Sequence, residues 1–534
     1  MLVSATVMTQ VIMYGSYTMW LMMPYLTDVW DMSIIQAAAV INIFDGVVAI
    51  LPLGLRFIID SLGNPMMADY WMLLWSGISG ILGLLLVTMS TPPMLSKATG
   101  TCSEYEPKCI GNTQVTLFYT GLVLLVTAMA TCITSQRSYI FERGKRMGLK
   151  KPRDIWNVRQ ALVQKGGEET LLRVLQEAKS STDPKVLKNR AYHWPSEFWL
   201  YRCNGVYTIV LIVLVCWVMP WSLRLGIPVL ILLLSTLLFV AKPWYHITGV
   251  EEVSSIEPFV ISLMIKTIAK FLICKFPIWS TFVVGGLVSS VGNTYFTEQA
   301  EQMDPKLGHW EVPTAFFMLF YRLVNYVTTK ICKRLISSNW KKSRWVITVC
   351  TLGVSVVCCM SAALVEKRRL DVVKSHGLID KSEGSVPLSM FLMLPQFFFL
   401  GVLDGTYNCC VFNFFQEQTP RSLKKYLNSF LHFVLGLGIF CNVLSVYIVG
   451  KVSGRGGRQT WFQPNLNKSR LDYYYWMLTL LSAINFAIYL LVALYYSKFR
   501  ESELPEPLPD SEIEEVQAAE LRGLDWFDMV PLRQ

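Results

Sequence analysis

Three ionisable side chains, Asp45, Arg322 and Asp404, lie within long apolar stretches of the sequence. A charge at the centre of a bilayer costs about 2.5 to 3.5 kcal/mol on translocon-insertion scales, so a charge retained there is a functional candidate by default. The planar donor fork of Arg322 could bind an anion or carboxylate, or form an ion pair between helices. Asp45 and Asp404 are candidates for reversible proton binding. The alternatives are an ion pair with Arg322 for Asp45 and a structural role for Asp404.

Twelve apolar runs cover most of the chain and contain these charges. A helix needs about 20 apolar residues to cross a bilayer, and most of the runs have that length. Hydrophobic residues make up 53% of the 534 residues and charged residues 16%, which is too apolar for an ordinary soluble protein. We therefore predict an all-α polytopic membrane protein with about twelve transmembrane helices in the lipid bilayer. The predicted spans are 7–27, 35–58, 71–90, 115–135, 200–218, 225–242, 272–297, 312–330, 345–365, 388–413, 427–449 and 473–496.

The distribution of Lys and Arg predicts which side of the membrane each loop faces. The segment 136–199 carries fourteen of these residues, and the loops after the eighth and tenth spans are also basic. Basic loops favour the cytoplasm, so we expect both termini to be cytoplasmic. The same bias accounts for the formal net charge of +10. Because no soluble basic domain accompanies that charge, we expect no nucleic-acid partner.

The spans fall into two groups of six, which suggests a pair of helical bundles. We expect an amino-terminal bundle over 1–242, including the basic loop 136–199, then a linker over 243–271 and a carboxyl-terminal bundle over 272–498. The remaining tail, 499–534, is acidic and contains several prolines, a composition that favours disorder.

Two cysteines, Cys102 and Cys109, lie in the loop 91–114, on the side opposite the basic loops. A disulfide is permitted in that compartment, and two free thiols are the alternative. A glycosylation sequon begins at Asn467 on the same side, but it is so close to the last span that we interpret it as incidental.

Signatures of soluble enzymes are absent from the sequence. It has no phosphate-binding glycine loop, no dinucleotide-binding glycine pattern after a strand and no zinc-ligand spacing. Its five His residues are scattered, and His432 alone lies in the middle of a span. We therefore expect no metal, no cofactor and no enzymatic activity.

The second half of the sequence contains a series of recognisable motifs. They are Phe276-Pro277-Ile278-Trp279, Gln302-Met303-Asp304-Pro305-Lys306-Leu307-Gly308, Ala363-Leu364-Val365-Glu366-Lys367-Arg368-Arg369-Leu370, Leu400-Gly401-Val402-Leu403-Asp404, Phe414-Phe415-Gln416-Glu417-Gln418 and Leu471-Asp472-Tyr473-Tyr474-Tyr475-Trp476. In order and spacing they resemble the plant nitrate/peptide transporter family, the plant branch of the proton-dependent oligopeptide transporters in the major facilitator superfamily. The resemblance is close over about 272–498 and looser before it.

This resemblance implies a fold and a class of function. The family has the major facilitator superfamily fold and moves small solutes such as nitrate, peptides, organic anions or glucosides by alternating access, usually driven by protons. We therefore expect a transporter whose partners are the lipid bilayer and a small-molecule solute, with protons as a further candidate. Since the family is a plant family, the plasma membrane and the vacuolar membrane are equally open as its location. A non-transporting membrane sensor or scaffold derived from the same fold is the alternative.

The family's first helix carries a proton-coupling ExxER motif that this sequence lacks. Alignment on Tyr14-Gly15 places the motif at Thr6, Thr9 and Gln10. Residues with that spacing share one helix face, where the family presents two carboxylates and a guanidinium, and here all three side chains are neutral. An incomplete amino terminus is an alternative explanation for this helix alone.

Three further positions have lost the family's titratable groups. The lysine of helix 4 falls on Ile133, the glutamate of helix 10 on Asn413, and the histidine of one nitrate-binding relative on Ser289. None of these side chains titrates near neutral pH. We therefore expect a uniporter or an exporter, or a protein whose remaining proton coupling has moved to Asp45 or Asp404.

Neutral polar side chains complete the set that we expect to line a solute cavity. Each can hydrogen-bond a solute, and each can equally hydrogen-bond a neighbouring helix. The candidates for solute contact are Thr6, Thr9, Gln10, Tyr14, Ser289, Asn293, Arg322 and Asn413.

Overall fold

The computed structural model describes residues 2–61, 65–100, 102–146, 220–241, 273, 276–337, 341–380, 386–418, 426–457 and 459–499. The predicted fifth span, the linker 243–271, most of the basic loop and the tail from residue 500 onward lie outside these residues.

Long helices occupy every predicted span that falls among the described residues. Eight of the described helices are long and apolar enough to cross a membrane, judged by length and composition. One short helix, α4, lies in the connection between α3 and α5. The helices are α1 (Leu2–Asp28), α2 (Ile34–Ser61), α3 (Pro65–Met89), α4 (Pro92–Thr99), α5 (Asn112–Arg146), α6 (Trp221–Ala241), α7 (Phe276–Glu301), α8 (Ala315–Ser337), α9 (Lys341–Ser375), α10 (Leu394–Gln418), α11 (Leu427–Ser453) and α12 (Leu471–Phe499).

Packing divides the chain into two compact units. Unit 1 comprises Met1–Met32 and Met66–Thr248, and unit 2 comprises Ser33–Pro65 and Gly249–Gln534. The sequence-based division at residue 242 placed α2 in the first bundle, whereas its packing groups α2 with unit 2. The reason is that α2 lies along α11.

In unit 1, α3 packs closely against α5 because small residues meet along the contact. A Cβ added at Gly83 would lie 2.9 Å from the Gly121 carbonyl oxygen, and the reverse holds for Gly121. The Ser76 hydroxyl donates to the Ala128 carbonyl oxygen across the same contact, at 2.8 Å. Small residues and hydroxyl groups are the usual means of bringing transmembrane helices together, since apolar side chains gain little by leaving lipid.

The connection between α3 and α5 is braced by a disulfide between Cys102 and Cys109. Tyr105 lies within the closed loop, and its hydroxyl is 3.1 Å from Ser222 Oγ in the first turn of α6. The same hydroxyl accepts a hydrogen bond from the Ser222 backbone N–H, at 3.3 Å. The loop therefore satisfies one of the donors that the start of α6 leaves unpaired.

In unit 2, α11 lies between α2 and α7 and contacts both through glycines. A Cβ at Gly436 would lie 3.0 Å from the Gly46 carbonyl oxygen of α2. On α7, a Cβ at Gly438 would meet the Val283 carbonyl oxygen and the Gly286 backbone. The backbone of α11 therefore approaches two neighbouring backbones within a single turn.

The core of unit 2 is rich in aromatic side chains. Phe282 of α7, Tyr407 of α10 and Tyr489 of α12 are buried in one cluster. The Tyr407 hydroxyl donates to the Phe282 carbonyl oxygen at 2.9 Å. A buried Tyr keeps its polar end satisfied in this way while its ring contributes to packing.

Short strands connect the helix ends of unit 2. Strand β1 (Met303–Asp304) pairs in parallel with β4 (Val386–Ser389), and β2 (Lys306–Leu307) pairs with β3 (Trp310–Glu311) in an antiparallel hairpin. Gly308, in the hairpin turn, has φ of 65°, a conformation that glycine adopts without strain.

A buried ion pair lies near these strands. The Glu366 and Arg369 side chains of α9 are both 0% exposed, and Arg369 donates to both Glu366 oxygens at 2.8 Å. Arg369 also donates to Asn467 Oδ1 at 2.8 Å, and Gln299 of α7 donates to Glu366 at 2.6 Å. The Tyr475 hydroxyl of α12 donates to Gln299 at 3.2 Å. Since the charges are paired and hydrogen-bonded, this network ties α7, α9 and α12 together.

Candidate functional site

Asp404, near the middle of α10, is held by hydroxyl donors from two other helices. The Tyr321 hydroxyl of α8 and the Ser289 hydroxyl of α7 both donate to Asp404 Oδ2, the latter at 3.1 Å. Tyr321 and Ser289 are buried, and Asp404 is partly buried. Hydrogen bonds from neutral hydroxyl groups favour the charged form of a carboxylate, so this arrangement holds Asp404 as an acceptor.

Two glycines on α10 bring α8 close enough for this contact. A Cβ at Gly401 would lie 3.0 Å from the Tyr321 carbonyl oxygen, and a Cβ at Gly405 would lie 2.8 Å from the Asn325 carbonyl oxygen. The two glycines are four residues apart and therefore share one helix face. This spacing is the small-residue pattern that permits close contact between transmembrane helices. Gly401 and Gly405 flank Asp404, so the close contact between the helices places Tyr321 within hydrogen-bond distance of it.

Arg322 follows Tyr321 on α8 and is the third charged candidate. Its side chain is exposed, and its guanidinium carbon lies 5.9 Å from the centre of the Tyr321 ring. Arg322 acts electrostatically on Asp404 of α10 and on Asp45 of α2. The charges that the sequence predicts on three separate helices therefore all lie within unit 2. We call Asp45, Arg322 and Asp404 the charge triad.

Two further candidates, Asn293 and Asn413, lie on the same helices as Ser289 and Asp404. Asn293 lies on α7, four residues after Ser289 on the same face of the helix, and is partly buried. Asn413 lies on α10, but its side chain falls outside the part of the chain whose side chains are described.

Candidates on α1 belong to unit 1. Gln10 is 3% exposed, and within the described part of the chain its Oε1 atom has no hydrogen-bond partner. Tyr14, one turn further along, is buried. Thr6 and Thr9 lie on α1, and their side chains are among those not described.

Comparison with known proteins shows what the chain is similar to. Residues 250–462 match the model of the POT family. The protein NRT1/PTR FAMILY 5.5 of Arabidopsis thaliana is 27% identical over 553 residues, which cover 90% of this chain and 94% of that protein. NRT1/PTR FAMILY 6.2 of the same plant is 30% identical over 266 residues, but these cover 48% of this chain and 42% of that relative.

The chain carries a POT-family domain. The resemblance found in the sequence motifs is therefore confirmed. The POT family is a family of transporters, which act on small molecules in a lipid bilayer.

Solved transporter structures show the same fold. The peptide transporter POT in complex with sulfate has a TM-score of 0.58 at 10% identity, covering 92% of this chain and 94% of that one. The transporter PepTSo has a TM-score of 0.53 at 11% identity and covers 94% of this chain and 98% of its own. The nucleoside transporter NupG has a TM-score of 0.55 at 12% identity, with 92% and 98% covered. The all-α major facilitator fold predicted from the sequence is thereby confirmed.

Sequence reasoning missed one residue of this candidate site, Tyr321. A tyrosine within an apolar span is more often a packing or interface residue than a ligand of a carboxylate. The available signal was the spacing of Gly401 and Gly405 around Asp404, which indicates a close helix contact there. It does not say which residue of the neighbouring helix is met.

Metal binding has no support in the described part of the chain. No group of three or more His, Cys, Asp or Glu side chains that could hold a metal ion is found among those residues. The candidate site is therefore built from carboxylates, a guanidinium and hydroxyl groups, which can exchange protons and bind ions.

Proposed function

We propose that this chain moves a small polar solute across a membrane by alternating access, with the charge triad at the solute-responsive site of unit 2. One observation supports this most strongly: α2, α8 and α10, all from one unit, each carry a charge within a long apolar helix, and the charge on α10 is held by hydroxyl donors from α7 and α8. Charges inside a membrane protein are costly and usually mark a solute or ion pathway. Arg322, exposed and able to form bidentate contacts, is the group that would meet the solute.

The solute class that we propose includes nitrate, peptides and related organic anions or glucosides. One solved relative is described in complex with sulfate, an anion whose oxygens suit a guanidinium fork. At the aligned positions where the family carries charged or titratable groups, this chain has Thr6, Thr9, Gln10, Ile133, Ser289 and Asn413. We therefore propose a uniporter or an exporter, in which any proton dependence resides in Asp45 or Asp404.

Arg322→Gln is the direct test, because it removes the charge and leaves a side chain that can still hydrogen-bond. Charge-assisted hydrogen bonds contribute about 1.5 to 3 kcal/mol, so we expect the KM for an anionic solute to rise at least about tenfold. The assay is tracer uptake and current in oocytes given nitrate, a dipeptide or a glucoside at about pH 5.5 and about pH 7.5.

Two variants serve as controls for this experiment. Arg322→Lys keeps the positive charge but lacks the planar fork, so we expect an intermediate KM. Lys330→Gln removes another exposed cation from α8, one whose ammonium lies 5.3 Å from the centre of the Tyr326 ring, and should leave uptake unchanged. Equal losses in Arg322→Gln and Lys330→Gln would contradict our assignment of Arg322 to the solute site.

A membrane sensor or scaffold is the second candidate function. The observation in its favour is Gln10: a buried, neutral amide, without a hydrogen-bond partner among the described residues, stands where the family has a charged group. A sensor should bind its solute without moving it. Solute-dependent thermal stabilisation of the purified chain, together with absence of flux despite verified surface expression, would favour this candidate over the transporter.

We also propose the orientation in which both termini are cytoplasmic. The basic segment 136–199 supports it through the positive-inside bias. The disulfide between Cys102 and Cys109 supports it independently, since disulfides persist in oxidising compartments and are rare in the cytosol.

A further inference from the structure

The exposed face of α8 changes from apolar to basic along its length. Leu323, Val327 and Ile331 on this face are 61%, 44% and 53% exposed. Lys330 and Arg334, toward the carboxyl end of the helix, are exposed as well. Residues three, four or seven positions apart lie on one face of a helix, so these five side chains form a single stripe. We call them the α8 stripe.

The α8 stripe is long enough to cover one leaflet of a bilayer. From Leu323 to Arg334 a helix rises about 16 Å, which is about half of a hydrocarbon core of about 30 Å. The predicted eighth span ends at residue 330, which places the apolar part of the stripe in the hydrocarbon and its cations at the boundary. Lys330 Nζ lies 5.3 Å from the centre of the exposed Tyr326 ring, and a Tyr beside a Lys is typical of a membrane–water boundary.

No acidic side chain close in the sequence neutralises the cations of the stripe. Residues 312–365 contain seven Lys or Arg and no Asp or Glu. Among the residues that the structure describes, neither Lys330 nor Arg334 takes part in an ion pair. The positive-inside bias accounts for basic residues after a span, but it does not require them to share a helix face with exposed apolar side chains. The stripe therefore fits a partner that is both anionic and apolar.

We propose that the α8 stripe binds an anionic phospholipid of the cytoplasmic leaflet, with its two cations on the phosphate and its three apolar side chains along an acyl chain. Anionic lipids are concentrated in that leaflet, and basic residues beside a span attract them. The inference goes beyond the proposed transport function and depends only on the proposed orientation, in which α8 ends at the cytoplasm. Arg322, about 12 Å further into the membrane than Lys330, is not part of the stripe.

The acidic end of the chain is the competing anionic partner. Residues 500–534 contain ten Asp or Glu and three Arg, and in the proposed orientation they share the cytoplasmic side with the stripe. An acidic segment in water could neutralise Lys330 and Arg334, but it could not cover apolar side chains within the hydrocarbon, where unpaired backbone groups are too costly. A phospholipid does both, so we assign the stripe to a phospholipid.

The test compares the purified full-length chain with two double variants that each remove two exposed cations. Lys330→Gln with Arg334→Gln removes the cations of the stripe, and Lys367→Gln with Arg368→Gln, near the other end of α9, is the control with the same change in charge. The measurement is the rise in Tm in a neutral detergent on titration with phosphatidylserine, with phosphatidylcholine of the same acyl chains, or with inorganic phosphate.

We expect phosphatidylserine alone to stabilise the wild-type chain strongly. A cation near a membrane surface strengthens binding of anionic lipid about fivefold, so half-maximal stabilisation of the stripe variant should need about 25-fold more phosphatidylserine. The control variant should behave as the wild type, and so should Lys330→Arg with Arg334→Lys, which keeps both charges. If the double variant is not monodisperse, each single variant should lose about fivefold, and Lys330→Gln should do so without changing the KM for solute.

Several outcomes would overturn the inference. Equal losses in the two double variants would show that net charge, not the stripe, decides lipid binding. Equal stabilisation by inorganic phosphate, or no stabilisation of the monodisperse wild-type chain by phosphatidylserine, would remove the lipid. If deletion of residues 500–534 abolishes the difference between the wild type and the stripe variant, the acidic segment is the partner instead.

The failure of this inference can be distinguished from the failure of the proposed function. A chain that binds phosphatidylserine through the stripe but moves no solute would contradict the transport function and support the lipid site. An orientation with α8 ending outside the cytoplasm would move the stripe to the other leaflet and overturn the inference, whatever the result for transport.

Discussion

At the scale of single residues, Asp404 is stabilised by hydroxyl groups, and Arg322 stays exposed where it could meet a solute. In a simple ion pair the carboxylate and the guanidinium would stabilise each other instead. Two hydroxyl groups stabilise Asp404, and the adjacent Arg322 remains exposed. A fully paired arginine would have to break its ion pair, at a cost in free energy, before it could bind a solute. The hydroxyl donors reduce that cost because Asp404 does not depend on Arg322 alone.

Tyr321→Phe tests whether the hydroxyl donors stabilise Asp404, since it removes one of them and little else. Asp404 would then draw on Arg322 for stabilisation, and we expect the KM for an anionic solute to rise about tenfold with a smaller change in kcat. Tyr326→Phe, an exposed tyrosine on the same helix, is the matched control and should leave the KM unchanged. A fall in kcat at constant KM would instead assign Tyr321 to the conformational change.

The sequence predicts the charges of this site but not their partners. Asp45, Arg322 and Asp404 stand out because charge is rare within an apolar span, a local property. The Tyr321 hydroxyl bond to Asp404 joins residues 83 positions apart, and the Arg369 bond to Asn467 joins residues 98 apart. Such pairings depend on which helices are neighbours, and one sequence does not contain that information. The sequon at Asn467 illustrates the same limit, because its side chain accepts from Arg369 and is buried.

At the scale of helices, apolar length predicts where helices lie, and small residues decide how they pack. Every predicted span within the described residues contains a long helix, because the bilayer requires about 20 apolar residues and leaves few alternatives. The grouping of α2 with unit 2 was not predictable from span order. It follows from contacts such as Gly46 with Gly436, which bring two backbones together.

Gly438→Ala tests the glycine contacts of α11. The added methyl group would meet the Val283 carbonyl oxygen and the Gly286 backbone, neither of which can move as a flexible side chain would. Overpacking of this kind costs typically about 1 to 3 kcal/mol, so we expect a clearly lower Tm in detergent. Gly353→Ala on α9 is the matched control, because a Cβ there meets nothing within 4 Å. An unchanged Tm in Gly438→Ala would mean that α11 packs differently in the membrane.

At the scale of the whole molecule, each unit is stabilised by a different kind of contact outside its apolar core. Unit 1 has the disulfide of Cys102 and Cys109, with Tyr105 bonded to the start of α6. Unit 2 has the buried pair of Glu366 and Arg369, which ties three helices without any covalent bond. A disulfide indicates an oxidising compartment, whereas an ion pair forms on either side of a membrane. Unit 1 therefore carries the information about orientation.

Epitope tags test that orientation. A tag inserted after Ser103, in the exposed part of the disulfide loop, should be detected on intact cells if the protein is in the plasma membrane, whereas a tag at either terminus should require permeabilisation. The physical reason is that the fourteen Lys and Arg of segment 136–199 favour the cytoplasm for this loop, whereas the disulfide forms on the other side. Insertion into the exposed β2–β3 hairpin of unit 2, at Gly308, gives an independent reading. Termini that stain on intact cells while the disulfide loop does not would invert the proposed orientation, and the proton and anion gradients acting on the charge triad would then be those of the opposite compartment.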